Sequence, residues 1–236
     1  MYFSYFVTFQ MEADLAACIS EKDLKGISDI VAATPGLKQA RLYTPESASD
    51  YYTDDGPSPQ FAMQLYFEDL TMLEAAIGKE GHLQALARTG VWPSLTGANV
   101  THQVMLTRSY PVLDRTFNVP AGGLPCSFLV HYPGYASDLN SWLTYYLNHH
   151  PKIMKFFPDI REIEIFTRVD WIDAMPWQRV NYMQRNKVVF DSPLALTEAL
   201  HSSVRHEMRA DLEKFPAFEG GNVHYPMATL SIMREE

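Results

Sequence analysis

The two halves of this chain follow the same outline, and that internal repeat governs what it can fold into. An offset of 123 residues maps the first half onto the second, slipping to 124 once. Ser4-Tyr5-Phe6-Val7 answers to Ser127-Phe128-Leu129-Val130, Pro35-Gly36-Leu37 to Pro158-Asp159-Ile160, and Phe67-Glu68 to Phe190-Asp191. Glu74-Ala75 and His82 meet Glu198-Ala199 and His206 one residue late, and Asn99-Val100 returns to register at Asn222-Val223. The order and near-constant spacing argue against coincidence. A unit of this length is too long for a solenoid repeat. The reading is two copies of one small domain, residues 1–110 and 125–236, joined by a linker at 111–124 that carries prolines and a Gly-Gly pair.

Hydrophobic periodicity predicts the same element order in both copies. Phe3, Tyr5, Val7 and Phe9 alternate as in a strand. From about Glu12 the period lengthens, and Leu15, Ile19, Ile27, Ile30 and Val31 suit a helix closed by Pro35-Gly36. Strands are expected over 38–44, 60–67 and 100–107, with a second helix over 70–88. In copy two, strands are expected over 127–132, 162–169, 180–190 and 223–232. Asp138 is placed as the N-cap of a helix reaching about His150. Pro193 opens the second helix in its first turn, where a missing N–H costs nothing. Tyr225-Pro226 suggests that the last strand is interrupted or at an edge. The order β-α-β-β-α-β is the ferredoxin-like, split-βαβ unit. Its sheet carries both helices on one face and leaves the other bare. Phe61, Met63, Leu65 and Phe67 stand against Ala62 and Tyr66, so both strand faces are apolar, and the bare face needs a cover. The other copy supplies one. Two such sheets face to face make an α+β barrel within one chain, with room between them for a small ligand.

The chain carries a net charge of −9. That disfavours nucleic acid and anionic membrane surfaces, both of which select clustered Lys and Arg. No apolar run reaches the length of a membrane span, and the N-terminus lacks the basic region of a signal peptide. A cytoplasmic location is expected, with Cys18 and Cys126 as buried free thiols. No metal-binding or phosphate-loop motif stands out.

In copy two, Phe128-Leu129-Val130-His131-Tyr132 is followed by Tyr145-Tyr146-Leu147-Asn148-His149-His150-Pro151 and then by Phe157-Pro158-Asp159-Ile160. These segments resemble the dimeric α+β barrel superfamily, and within it the EthD-like branch. The resemblance covers copy two in outline. In copy one only the layout and the Pro35-Gly36 turn survive. It implies an apolar cavity beneath the first helix and a small hydrophobic ligand, in a monomeric pseudo-dimer or a homodimer. It does not name a substrate, because such proteins include cyclases, isomerases, cofactor-free oxygenases and haem enzymes. The usual turn glycine is Asp159 here. The family histidine is His149 by its spacing to Pro151, or His150 by its spacing to Tyr146.

Periodicity separates these two. Leu139, Trp142 or Leu143, Tyr146 and His150 share one helical stripe, so His150 points inward and His149 to the flank. Positions 149 and 150 answer to Gly26 and Ile27, so copy one is degenerate there and a single site is expected. His150 is read as the general base or acid, with Tyr146 or Tyr145 orienting a substrate oxygen. A hydrogen-bonded core histidine is the competing reading. His131 would pair with His150 if both line the cavity. Trp142 belongs to the inward stripe and is counted with the substrate-binding residues. Trp171 and Trp177, in a long loop, either cover the barrel mouth or pack on the other copy. His224 is a further cavity candidate, near His102 but out of register with it. His82 and His206 share a position, which suggests a structural role. The leading function is a cofactor-free enzyme for acid/base chemistry (isomerisation, cyclisation or elimination) on a small hydrophobic or aromatic oxygenated compound. The alternative is a binding protein for such a molecule or for haem.

Overall fold

The computed structural model describes residues 1–12, 14 and 16–233. The first half runs β1 (Tyr2–Gln10), α1 (Glu21–Ala32), β2 (Leu37–Pro45), β3 (Phe61–Phe67), α2 (Leu70–Ile77) and β4 (Asn99–Tyr110). The second runs β5 (Cys126–Tyr132), α3 (Leu139–Met154), β6 (Glu162–Arg168), a two-residue β7 (Gln178–Arg179), β8 (Gln184–Phe190), α4 (Pro193–Leu200), α5 (Ser203–Leu212) and β9 (Val223–Met233). The eight long strands are antiparallel and close on themselves in the order β1-β3-β2-β9-β5-β8-β6-β4, with β4 returning to β1. The halves therefore do not merely face one another. Their edges hydrogen-bond, β2 to β9 and β4 to β6, which leaves no long strand with an open edge.

Local chemistry explains most departures from the sequence reading. The first helix begins at Glu21, not near Glu12, because Ser20 caps it by accepting the Asp23 N–H. Ile19 precedes the helix, and Leu15 lies outside the described residues. The helix expected over 70–88 ends at Ile77 and resumes as a 3₁₀ turn at His82–Ala87. Gly81 allows the turn between them, since a Cβ there would stand 2.2 Å from the Ala76 carbonyl oxygen. In the second half the break falls between α4 and α5. Asp159 adopts the left-handed conformation of Gly36, with φ of 54° against 76°, and its carboxylate binds Arg161 at 3.2 Å. β9 is neither interrupted nor an edge strand. Pro226 sits where β9 leaves β2, whose ladder ends at Met227, while β5 still pairs with it. The missing N–H therefore falls at a gap in the ladder. Cys18 is exposed and Cys126 buried.

Strand alternation sends one set of side chains to the helices and the other into the lumen. The lumen is a packed core. Phe6, Met105 and Phe166 form one cluster, and Tyr43, Ala62, Leu129 and Met227 another. Ser4 bonds Thr107 at 2.7 Å, and Gln64 links Ser4 to Tyr43. Lys187, fully buried, pairs with Glu164 at 2.9 Å and Glu162 at 3.2 Å. Most of the space expected between the sheets is thus occupied by the protein's own side chains; a polar space of about 190 Å³ remains at one end, lined by Gln39, Arg41, Ser109, Glu162 and Glu164, and an apolar cavity lies on the helix side.

Each half sends its long loop over the other half. Residues 169–183 of the second half insert Trp171 and Met175 into the helix-side core of the first, with Trp177 packed against it. Residues 46–60 of the first half lie on α4 and α5 of the second. There Ser49 meets Thr197 and His201, Asp50 binds Arg205, and Tyr52 meets His206.

Candidate active site

A cavity lies between the second-half sheet and its helices. Phe128, Val130, Val188 and Phe190 form its floor, Met154, Phe157, Leu200 and Met208 its apolar walls, and His150, Asn186, Arg205 and His224 its polar points. Its volume is about 70 Å³. It adjoins a space of about 270 Å³ beneath the 46–60 loop, lined by Asp50, Asp54 and Asp55, and the two share Thr53, Phe128 and His224. The corresponding place in the first half is filled. Ile27 occupies the position of His150 in its core, and Trp92 lies against Gly26, where a Cβ would stand 2.8 Å from the indole.

α3 presents His150 because its stripe packs on the sheet. Asp138 caps the helix through the Ser141 N–H at 2.9 Å. The helix continues through Pro151 to Met154, past the end expected near His150. A proline there cannot donate to the Leu147 carbonyl. The Tyr110 hydroxyl donates to it instead, at 3.2 Å, so the backbone around His150 stays helical. The His150 ring donates from Nδ1 to Asp211 at 2.7 Å, and the Tyr145 hydroxyl donates to the other carboxylate oxygen at 2.9 Å. Burial lowers the His150 pKa and outweighs the opposing pull of Asp211. Burial would raise Asp211, but the bonds from His150 and Tyr145 hold it below its ordinary value. The result is a neutral imidazole with its proton on Nδ1 and its Nε2 lone pair free. Among the described residues no hydrogen-bonding group stands on that Nε2, and the ring lines the cavity. This is the arrangement of an oriented general base.

The other predicted residues divide. Tyr145 reaches the site through Asp211. His149 lies on the flank, donating to the Tyr145 carbonyl at 2.8 Å and stacking on the Tyr145 ring. Tyr146 is fully buried behind His150, and its hydroxyl accepts from Asn186 at 2.6 Å. Trp142 stacks on Tyr146 in the same core, and neither ring forms part of the cavity wall. His131 is a correction. It points into the lumen, where Arg185 donates to its Nε2 at 3.1 Å, and burial and then Arg185 hold its pKa well below the ordinary value. The β-sheet separates it from His150, so the two cannot form a pair. Trp171 and Trp177 pack on the other half, away from this cavity. His224 lines the cavity, stacked on Phe128. It is also the register equivalent of His102, since His102 opposes Val7 and His224 opposes Val130. His82 and His206 do not share a contact: His82 meets the Ile30 carbonyl of its own half, and His206 meets Tyr52 of the other.

Sequence reasoning missed Asp211, Arg205 and Asp50. A usable signal existed on α5. Val204, Arg205, Met208 and Asp211 share one buried helical face, and a carboxylate on such a face needs a partner. Asp50 was beyond reach, because nothing local indicates that its loop crosses to the other half. There Asp50 meets Arg205 through both oxygens, at 2.8–3.0 Å.

No family profile matches the sequence, and no curated protein matches it either. Solved structures share its shape. One is an anthrone oxidase-like protein, with a TM-score of 0.61 at 10% identity over 100% of this chain and 94% of the other. A protein from Fusobacterium nucleatum subsp. nucleatum named as a monooxygenase matches with a TM-score of 0.58 at 9% identity, over 99% and 94%. A chlorite dismutase variant from Candidatus Nitrospira defluvii matches with a TM-score of 0.51 at 12% identity, over 96% and 91%. What is shared is the fold, the dimeric α+β barrel, here closed within one chain.

Proposed function

We propose that this protein binds a small apolar, oxygenated molecule in the second-half cavity and removes a proton from it with His150. The observation that carries this reading is the His150–Asp211 pair, a neutral buried imidazole held by a carboxylate at 2.7 Å on the wall of a mainly apolar cavity. Such a base suits a carbon acid, in which the proton moves to Nε2 and the electron pair passes to an adjacent carbonyl oxygen as an enolate. Asn186, Arg205 and His224 supply polar contacts on the same wall. The names of the similar structures, an anthrone oxidase-like protein and a monooxygenase, agree with chemistry on oxygenated compounds. The volume limits the ligand's size. About 70 Å³ holds a few waters at roughly 10–15 Å³ each, so a one-ring ligand also uses the adjoining space under the loop.

Binding without turnover is the second reading, and it too rests on the cavity. Haem does not fit this space. An imidazole backed by a carboxylate suits an axial ligand, but a cavity of about 70 Å³ does not admit a macrocycle. The proposed reaction uses no step through it, because imidazole completes the proton transfer.

The test is carbon-bound hydrogen exchange in D2O, followed by NMR, with a panel of one-ring aryl ketones and cyclic enones. The expected result is exchange above the buffer rate for at least one compound. His150→Ala should reduce it about 10²–10⁴-fold, with the fold intact by circular dichroism. Equal exchange with and without His150 would overturn the reading. Binding with no exchange would favour the second one.

A further inference from the structure

His102 and His224 occupy the same register position in the two halves, and each meets an aspartate from the other half's long loop. In the first half, His102 faces Asp173 at 3.9 Å. In the second, His224 donates from Nδ1 to Asp55 at 2.7 Å, and its backbone N–H donates to the same oxygen at 2.9 Å. The rest of the setting differs. His102 is fully buried, and the Tyr5 hydroxyl meets its Nδ1 at 2.8 Å. Trp171 and Trp177 present ring edges to it at 5.2 and 6.1 Å. The residue answering to Tyr5 is Phe128. Phe128 stacks on the His224 ring at 5.2 Å and offers no hydroxyl. Among the described residues no hydrogen-bonding group stands on the Nε2 of His224, and the ring lines the cavity that His150 lines.

We propose that His224 is the second available imidazole of this site, positioned by Asp55 of the other half and set on the cavity wall, where its counterpart His102 is fully buried. This rests on the reading of the cavity as a proton-transfer site. Both of its imidazoles are held through Nδ1 by a carboxylate at 2.7 Å, so both offer Nε2. Each Nε2 lone pair can take a proton from carbon, the electron pair passing to the adjacent carbonyl, so the two imidazoles are alternative bases on one cavity. Asp55 is then a positioning residue. The site is composite, with its base from one half and the anchor of its second imidazole from the other half's loop.

Diethylpyrocarbonate acylates unprotonated, accessible imidazole nitrogen, and peptide mass spectrometry reads the rate at each histidine. In the native protein His150 and His224 should react and His102 should not, with exposed His149 as an internal reference. Asp55→Asn, which leaves the ring less firmly held, should change the His224 rate severalfold and leave His150 alone. Labelling of His224 as slow as that of His102 would overturn the proposal, as would an unchanged His224 rate in Asp55→Asn. Failure of His150 to react, with His224 behaving as expected, would count against the proposed base and leave this inference standing.

Discussion

The His150 ring is a base only in its setting, and Asp211 is the part of that setting most open to test. Burial lowers the imidazole pKa, and the carboxylate opposes it. Asp211→Asn keeps a hydrogen-bond acceptor at the same place but removes the charge. The His150 pKa should therefore fall further. The imidazole becomes a weaker base, and carbon-bound exchange should slow by about 10²-fold with little change in stability. NMR titration of the His150 ring checks the first outcome, and the exchange assay the second. A pKa that rises in the variant would show that the carboxylate does not act as described. The inward aim of His150 was legible from the stripe through Leu139, Trp142 and Tyr146, because helical spacing is a local property. The partner was not, since Asp211 stands on another helix 61 residues away.

At the scale of elements, two supports keep this site in shape, and each has its own cost of removal. Tyr110→Phe takes the donor from the Leu147 carbonyl opposite Pro151. The expected loss is about 1 kcal/mol, read by urea denaturation, and an unchanged midpoint would mean that water replaces the hydroxyl without penalty. Asp50→Ala leaves Arg205 without its carboxylate, at a site where the two side chains are 3% and 11% exposed. Removing one partner of so buried a pair costs roughly 3 kcal/mol, and proteolysis within 46–60 should become faster as the loop loses its hold on α5. A loop that stays resistant would show that the stacking of Tyr51 on His201 and His206 and the Tyr52–His206 bond suffice. The elements themselves were largely readable, since Asp138, Ser192-Pro193 and the strand alternation of Phe3 to Phe9 are local signals. Which strand face lines the lumen was not readable. β3, β5 and β8 are buried at every position, so parity carries no polarity contrast, and His131 could be placed on either side. The crossing of the two long loops was hidden for a related reason: their Trp and Asp residues find partners only in the other half.

For the whole molecule, closure of the barrel places several imidazoles where charge is costly, and this sets how stability depends on pH. His102, His131 and His150 all have pKa values lowered from the ordinary one, each chiefly by burial. In the unfolded chain these rings return to about 6.5. Below that value the unfolded state binds more protons than the folded one, so acid favours unfolding. The contribution of the three rings is fully present above about pH 6.5 and is lost as pH falls from there toward the folded values. The lowered carboxylates Asp50, Asp55 and Asp211 act in the same direction but in a separate, more acidic window, below about pH 4. The melting temperature should therefore be level from pH 8 to 7 and fall steadily between pH 6.5 and 5, before carboxylate protonation begins. His131 should account for much of that slope, because it lies in the lumen against the Arg185 guanidinium, with no carboxylate bonded to its ring. His131→Asn should flatten the slope between pH 6.5 and 5, whatever it does to stability at pH 8. A native protein with equal melting temperatures at pH 8 and pH 5 would contradict the account. So would a His131→Asn variant with the native slope, which would move the acid sensitivity from the lumen to the helix side of the barrel.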